Sequence, residues 1–172
     1  MKNVLVIDTS ILCVWLQVPG KTECGEESDR WDFTRVRDYI CTAEMKKTTF
    51  VLPLAAIIET GNHISQAPNS RYELAQNLCK VISAAVEQSS PWAAFTEQSD
   101  MWCKERLNDL ANEWPTFAAE QLSIGDYTIK QVAEFYAQIG CNVEILTGDA
   151  GLKSYQPSIK PPVPRRRGNS RN

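Results

Sequence analysis

Residues 4–7, Val-Leu-Val-Ile, form an unbroken run of branched apolar side chains, and an acid, Asp8, ends it. A strand with one solvated face alternates apolar and polar positions. An unbroken run instead reads as a strand covered on both faces, as in the middle of a parallel sheet. Residues 48–52 read as a second strand, closed by Pro53, which has no amide to give a ladder. Residues 143–146 read as a third. Helical periodicity fills the intervals. One helix is expected over 29–47, with Trp31, Val36, Tyr39, Ile40 and Ala43 on its apolar side, and another over 54–65. A long one over 71–87 follows the capping pair Asn69-Ser70, and a more polar one covers 97–114. The last spans 123–139, with Gly140 just past its end. Residues 147–151 read as a turn.

Strands alternating with helices predict βαβ units and therefore an α/β fold. The expectation is a three-layer α/β/α domain over residues 1–155, built on a central, mostly parallel sheet. From residue 156 the composition turns to Pro, Arg, Gly, Ser and Asn. Residues 156–172 are expected to be a disordered basic tail. A chain of 172 residues with 43% hydrophobic side chains has enough apolar surface for one core without staples. The tail holds Lys160, Arg165, Arg166, Arg167 and Arg171 and no acid, so all 21 Asp and Glu lie in the body, against 13 Lys and Arg. Such a body does not grip nucleic acid over its whole surface; a local grip stays open.

Six widely spaced cysteines and a single histidine do not make a zinc cluster, which needs four clustered ligands. The stretch 4–16 is cut by Asp8, Thr9 and Ser10, unlike a secretory leader. No window has the apolar length of a membrane span. A cytoplasmic protein with reduced thiols and no membrane partner is expected.

Ligands of open parallel sheets bind at the carboxyl ends of the strands. Four acids are expected there. Asp8 follows the first strand, Asp149 lies three residues past the third, and Glu59 sits in the second turn of the helix after the second strand. Asp126 opens the helix that a right-handed crossover returns to the same edge. Carboxylates crowded together without cations repel one another, which raises the pKa of at least one of them. The usual remedy is a hard divalent ion, Mg2+ or Mn2+, in the arrangement that serves phosphodiester hydrolysis.

The segments Ile7-Asp8-Thr9-Ser10, Ile58-Glu59-Thr60, Ile124-Gly125-Asp126-Tyr127 and Leu146-Thr147-Gly148-Asp149 resemble, in order, the four acidic motifs of PIN-domain ribonucleases. The similarity is strongest over 3–16 and 123–153, weaker over 50–65, and absent over 17–47 and 88–120. The chain is longer than the minimal toxin nucleases of toxin–antitoxin modules. The resemblance implies a PIN-like fold and a Mg2+- or Mn2+-dependent endoribonuclease, with RNA as substrate and a toxin or defence effector as its setting. It implies that Asp8, Glu59, Asp126 and Asp149 bind metal and act in catalysis, with Ser10 and Thr147 as supporting hydroxyls. An inhibitory or recruiting protein partner and a homodimer are further expectations of the family. Two alternatives stand beside it. One is a PIN-fold RNA-binding or structural module without turnover. The other is a phosphatase-type hydrolase, poorly served by Ser10, where a second Asp is wanted. The stretch 88–120 reads equally as lid, dimer element or partner site.

Overall fold

The computed structural model describes residues 1–93 and 95–157. Among the described residues five strands and seven α-helices run in the order β1 (Asn3–Ile7), α1 (Thr9–Trp15), β2 (Glu23–Cys24), β3 (Trp31–Asp32), α2 (Phe33–Met45), β4 (Thr49–Val51), α3 (Leu54–Ser65), α4 (Arg71–Val86), α5 (Lys104–Ala119), α6 (Ile124–Gln138), β5 (Asn142–Leu146) and α7 (Ala150–Ser154). Short 3-10 turns cover Glu27–Asp29 and Phe95–Trp102. The chain is α/β, and its main sheet is parallel with β1 in the centre, in the order β4-β1-β5.

Alternation along β1 separates two hydrophobic clusters. Leu5 and Ile7 join Ile11 and Leu12 of α1, Val36 and Ile40 of α2, Phe50 and Leu146. Val4 and Val6 join Val51, Ile145 and the α6 stripe Ile129, Val132, Ala133 and Tyr136. That explains the unbroken apolar run: each β1 side chain from Val4 to Ile7 is at most 1% exposed, whichever face it points to.

A sheet of three strands has two open edges, and this chain closes both. Outside β4, the Phe50 amide donates to Pro91 O (2.9 Å) and the Ala93 amide donates to Phe50 O (2.8 Å). Outside β5, the Gln156 side chain stands in for a strand. Its Nε2 donates to Val143 O (2.8 Å) and its Oε1 accepts from Ile145 N (3.0 Å). Covered edges do not recruit a second chain. Gln156, which composition places in the tail, is thus tied to the sheet; the basic run 165–167 lies outside the described residues.

Several boundaries differ from the sequence reading. The helix expected from residue 29 begins at Phe33, because Trp31–Asp32 pairs antiparallel with Glu23–Cys24 and Asp32 caps α2 by accepting from Arg35 N (2.8 Å). The helix expected over 97–114 is a 3-10 turn followed by α5, which runs through Pro115. No residue of α5 is buried; it leans on α6 through the Phe117–Tyr127 ring contact (centroids 5.0 Å apart), and Trp114 Nε1 donates to Leu122 O (3.2 Å) in the connection before α6. Ser70 stands at the N-cap of α4, yet its side chain makes no cap bond, and its φ of 55° is left-handed. The turn expected over 147–151 leads into α7, capped by Asp149. Helix α3 has the expected bounds, and Gly140 adopts φ +89° directly after α6. The six cysteines are free thiols. Among the described residues no helix is long and apolar enough to cross a membrane.

The Gln156 bracket generates a prediction. Gln156→Ala returns two backbone groups of β5 to water and should cost about 1 kcal/mol in urea unfolding. An unchanged midpoint would show that the edge needs no cover.

Candidate active site

Asp8 is the floor of the site. It follows the last residue of the central strand and is 3% exposed. Its Oδ2 accepts from Ser10 Oγ (2.6 Å), Thr147 Oγ1 (2.8 Å) and Ser10 N (3.3 Å), and its Oδ1 accepts from Thr9 N (2.6 Å). These bonds also make Asp8 the N-cap of α1. Burial pushes its carboxyl above the ordinary carboxylate value, against the opposing pull of the Ser10, Thr147 and Thr9 donors.

Each hydroxyl beside Asp8 also accepts a bond from the β5–α7 turn. Thr147 Oγ1 accepts from Asp149 N (2.9 Å), and Ser10 Oγ accepts from Gly148 N (3.1 Å). A hydroxyl has one proton and two lone pairs. Here both protons point to Asp8, and lone pairs hold the turn that carries Asp149. That turn is tight on its other side too: a Cβ on Gly148 would lie 2.5 Å from Cys24 Sγ. Asp149 itself is exposed and accepts from Leu152 N (2.8 Å) as the cap of α7.

Glu59 and Asp126 form the opposite side. Thr9 Oγ1 donates to Glu59 Oε2 (2.8 Å), linking Glu59 to the residue after Asp8. A Cβ on Gly125 would collide with Glu59 Oε1 and lie 2.9 Å from its Cδ, so the glycine makes room for this carboxylate directly beside Asp126. Ser123 is the N-cap of α6; its Oγ accepts from Asp126 N (3.0 Å) and donates to Asp126 Oδ2 (2.7 Å). The Asp126 carboxyl is raised, first by burial, with Asp8 and Asp149 adding repulsion against the Ser123 bonds. Burial is the leading cause of both raised values, and repulsion from Asp8 and Asp149 adds to it at Asp126.

The structure thus strings the six candidate residues together at the carboxyl edge, Asp8 buried, Glu59 and Asp126 half-buried, Asp149 exposed. It does not close them into a cage. Among the described residues no three His, Cys, Asp or Glu side chains stand as a group able to hold a metal ion. In kind the donors suit a hard divalent cation: all are carboxylates, and Asp8 is buried against hydroxyls and amides. Sequence reasoning gave no role to Thr9 or Gly125, although both lie inside the acidic motifs. The signal was residue size and a hydroxyl next to an acid. Cys24 carries no sequence signal, because its place against Gly148 depends on the β2–β3 pairing.

The raised carboxyls fix the sign of a pH effect. A folded-state pKa above the unfolded value, about 3.9 for Asp, means that the folded protein holds protons the unfolded chain has released. Stability is then highest below that value and falls as pH climbs through the raised one. Asp8→Asn is a poor probe, since an amide has one acceptor oxygen where Asp8 uses two. Asp126 is the better one, because an Asn there still accepts from Ser123. In EDTA, Tm of Asp126→Asn minus Tm of wild type should grow between pH 4 and pH 8. A flat difference across that range would contradict the raised Asp126 value.

The chain matches no family model, no curated protein and no solved structure.

Proposed function

We propose that the chain is a Mg2+- or Mn2+-dependent endoribonuclease with a three-layer, PIN-like fold, cleaving RNA phosphodiester bonds at Asp8, Glu59, Asp126 and Asp149. The observation that carries this reading is Asp8, a carboxylate buried at the end of the central strand and held by hydroxyls and amides. A buried carboxylate without a cation is costly. Its place at the carboxyl edge of a parallel sheet, in the repulsive reach of Asp126, is where a bound cation would offset that cost. The order of the four acidic motifs along the chain supports the same reading.

Asp8, Glu59, Asp126 and Asp149 are the residues that would hold the ion, which when bound supplies an activated water and stabilises charge on the phosphate oxygens. The chain's own work is positional. Ser10 and Thr147 fix the Asp8 oxygens, and through Gly148 N and Asp149 N they set the turn that carries Asp149. Thr9 and the bare Gly125 orient Glu59. Ser123 holds the Asp126 carboxylate at the start of α6, directly beside the glycine that admits Glu59. The spread of the acids favours a second reading, a PIN-fold RNA-binding module without turnover.

Cleavage of single-stranded RNA in Mn2+ separates the two. Asp8→Asn and Asp149→Asn should each lower the rate by on the order of 100-fold or more. Equal cleavage by wild type and both variants sinks the nuclease, and binding without cleavage selects the module. Mn2+ at a hundredfold excess over its Kd should raise Tm by about 5 °C relative to EDTA, since it binds the folded chain alone.

Gly125→Ala separates site geometry from folding. The new methyl meets the far end of a flexible Glu59 side chain, and Ala favours a helix, so stability should stay within about 1 kcal/mol of wild type. Displacing the Glu59 carboxylate should nevertheless cost on the order of 10- to 100-fold in cleavage. Full activity in Gly125→Ala would remove Glu59 from the site.

A further inference from the structure

A nuclease must hold a polyanion, yet the body of this chain carries more acid than base, and no run of Lys or Arg adjoins the four carboxylates in sequence. The fold brings cations to the Asp149 side of the carboxylates from two distant segments. Lys153 lies one turn past Asp149 in α7, and Arg35 lies in the first turn of α2. One carboxylate joins them: Asp29 Oδ1 takes Arg35 Nη2 at 2.6 Å and Asp29 Oδ2 takes Lys153 Nζ at 2.6 Å. The three side chains are 38–55% exposed. Ion pairs at such exposure are weak and exchange readily for a better anion.

The wall that carries Asp29 touches the site. Beyond the contact of Cys24 Sγ on Gly148, the Cys24 thiol lies against Ser10 and within the electrostatic reach of Asp8, Arg35 and Asp29 together. The wall also holds a donor that its own acceptors do not satisfy. Trp31, 5% exposed, has Arg35 stacked over its ring at 3.8 Å, and its Nε1–H is buried with no hydrogen-bond partner. The pyrrole edge of that ring faces the hairpin turn: Trp31 Cδ1 is 3.5 Å from where a Gly25 Cβ would stand, and Gly25 N borders Gly148 in the same way at 2.9 Å.

We propose that Arg35 and Lys153 form a phosphate-binding subsite on the Asp149 side of the carboxylates, taking a backbone phosphodiester of the RNA strand, and that Asp29 occupies it in the free protein as a stand-in anion. A carboxylate bridging a guanidinium and an ammonium uses two oxygens as a phosphodiester would, and the phosphodiester is the anion the substrate brings. The proposal rests on the nuclease reading and adds where that enzyme holds its substrate.

The test is fluorescence anisotropy of a short fluorescein-labelled single-stranded RNA with the full chain in EDTA, where binding is read without turnover. Lys153→Gln, at an exposed position, should weaken binding about fivefold at low salt and reduce the slope of log K against log salt by about 0.7, the value of one lost single-strand phosphate contact. Asp29→Asn should tighten binding about threefold, because the competing carboxylate is gone, and the double variant should bind more tightly than Lys153→Gln and more weakly than Asp29→Asn, since Arg35 is freed while Lys153 is lost. Wild-type affinity in both single variants overturns the subsite, and so does weaker binding by Asp29→Asn, which would make Asp29 a structural latch, or no binding by the wild type. Failure of the nuclease reading looks different: the binding pattern persists while Mn2+ yields no cleavage.

Discussion

The structure depends on a carboxylate kept out of water at the end of its central strand. Asp8 cannot be moved, because β1 is paired on both sides and covered on both faces. Its cost is met by donors from two places: the first turn of α1, through the Thr9 and Ser10 amides and the Ser10 hydroxyl, and Thr147, one residue past the neighbouring strand β5. Since the same two hydroxyls hold the amides of residues 148 and 149, one buried charge organises α1, the end of β5 and the start of α7 together. A side chain with no acceptor oxygen at position 8 would leave those hydroxyls without the partner that orients them.

A protein under selection for stability alone would not keep such a group. Its acidic neighbours do not neutralise it, and the Asp126 carboxyl is itself raised, first by burial and then by repulsion from Asp8 and Asp149. Local instability held in place by a rigid surround is the mark of a functional site. The surround is rigid for stated reasons. Gly125 admits Glu59 because it has no side chain, and Ser123 fixes Asp126 through a reciprocal cap at the start of α6. These groups sit at the ends of helices and strands, the elements best able to hold a geometry against thermal motion.

What the sequence revealed follows the range of the forces involved. The β1 run, the bounds of α3, the α6 stripe and the Gly140 stop are local patterns, and each is legible within a dozen residues. The acids at the carboxyl edge needed one step more, the rule that crossovers are right-handed. Trp31 was assigned to a helix because its spacing from Tyr39 and Ile40 fits a helical face. Its pairing with Cys24 is a contact between two-residue strands that no periodicity announces. The segment before α5 failed for a related reason. Its anchors are Gln98 reaching Leu52 O (3.0 Å) and residues 91–93 sealing β4, tertiary bonds made by side chains and bare backbone. Thr9 and Gly125 stood inside motifs already singled out. Their roles stayed hidden because Glu59 comes from another part of the chain.

The two sides of the site are held by different physics. On one, Asp8, Ser10 and Thr147 form a network largely shielded from solvent, and the Glu59 carboxylate is wedged against a glycine; such contacts respond little to ionic strength. On the other, the hairpin is fastened by Asp29 to Arg35 and Lys153 and by Arg30 to Glu23 (2.8 Å), all partly exposed. Exposed pairs are screened by salt and are displaced by competing anions. The carboxylate side therefore keeps its geometry as ionic strength changes, while the cationic side loosens with added salt or a competing anion.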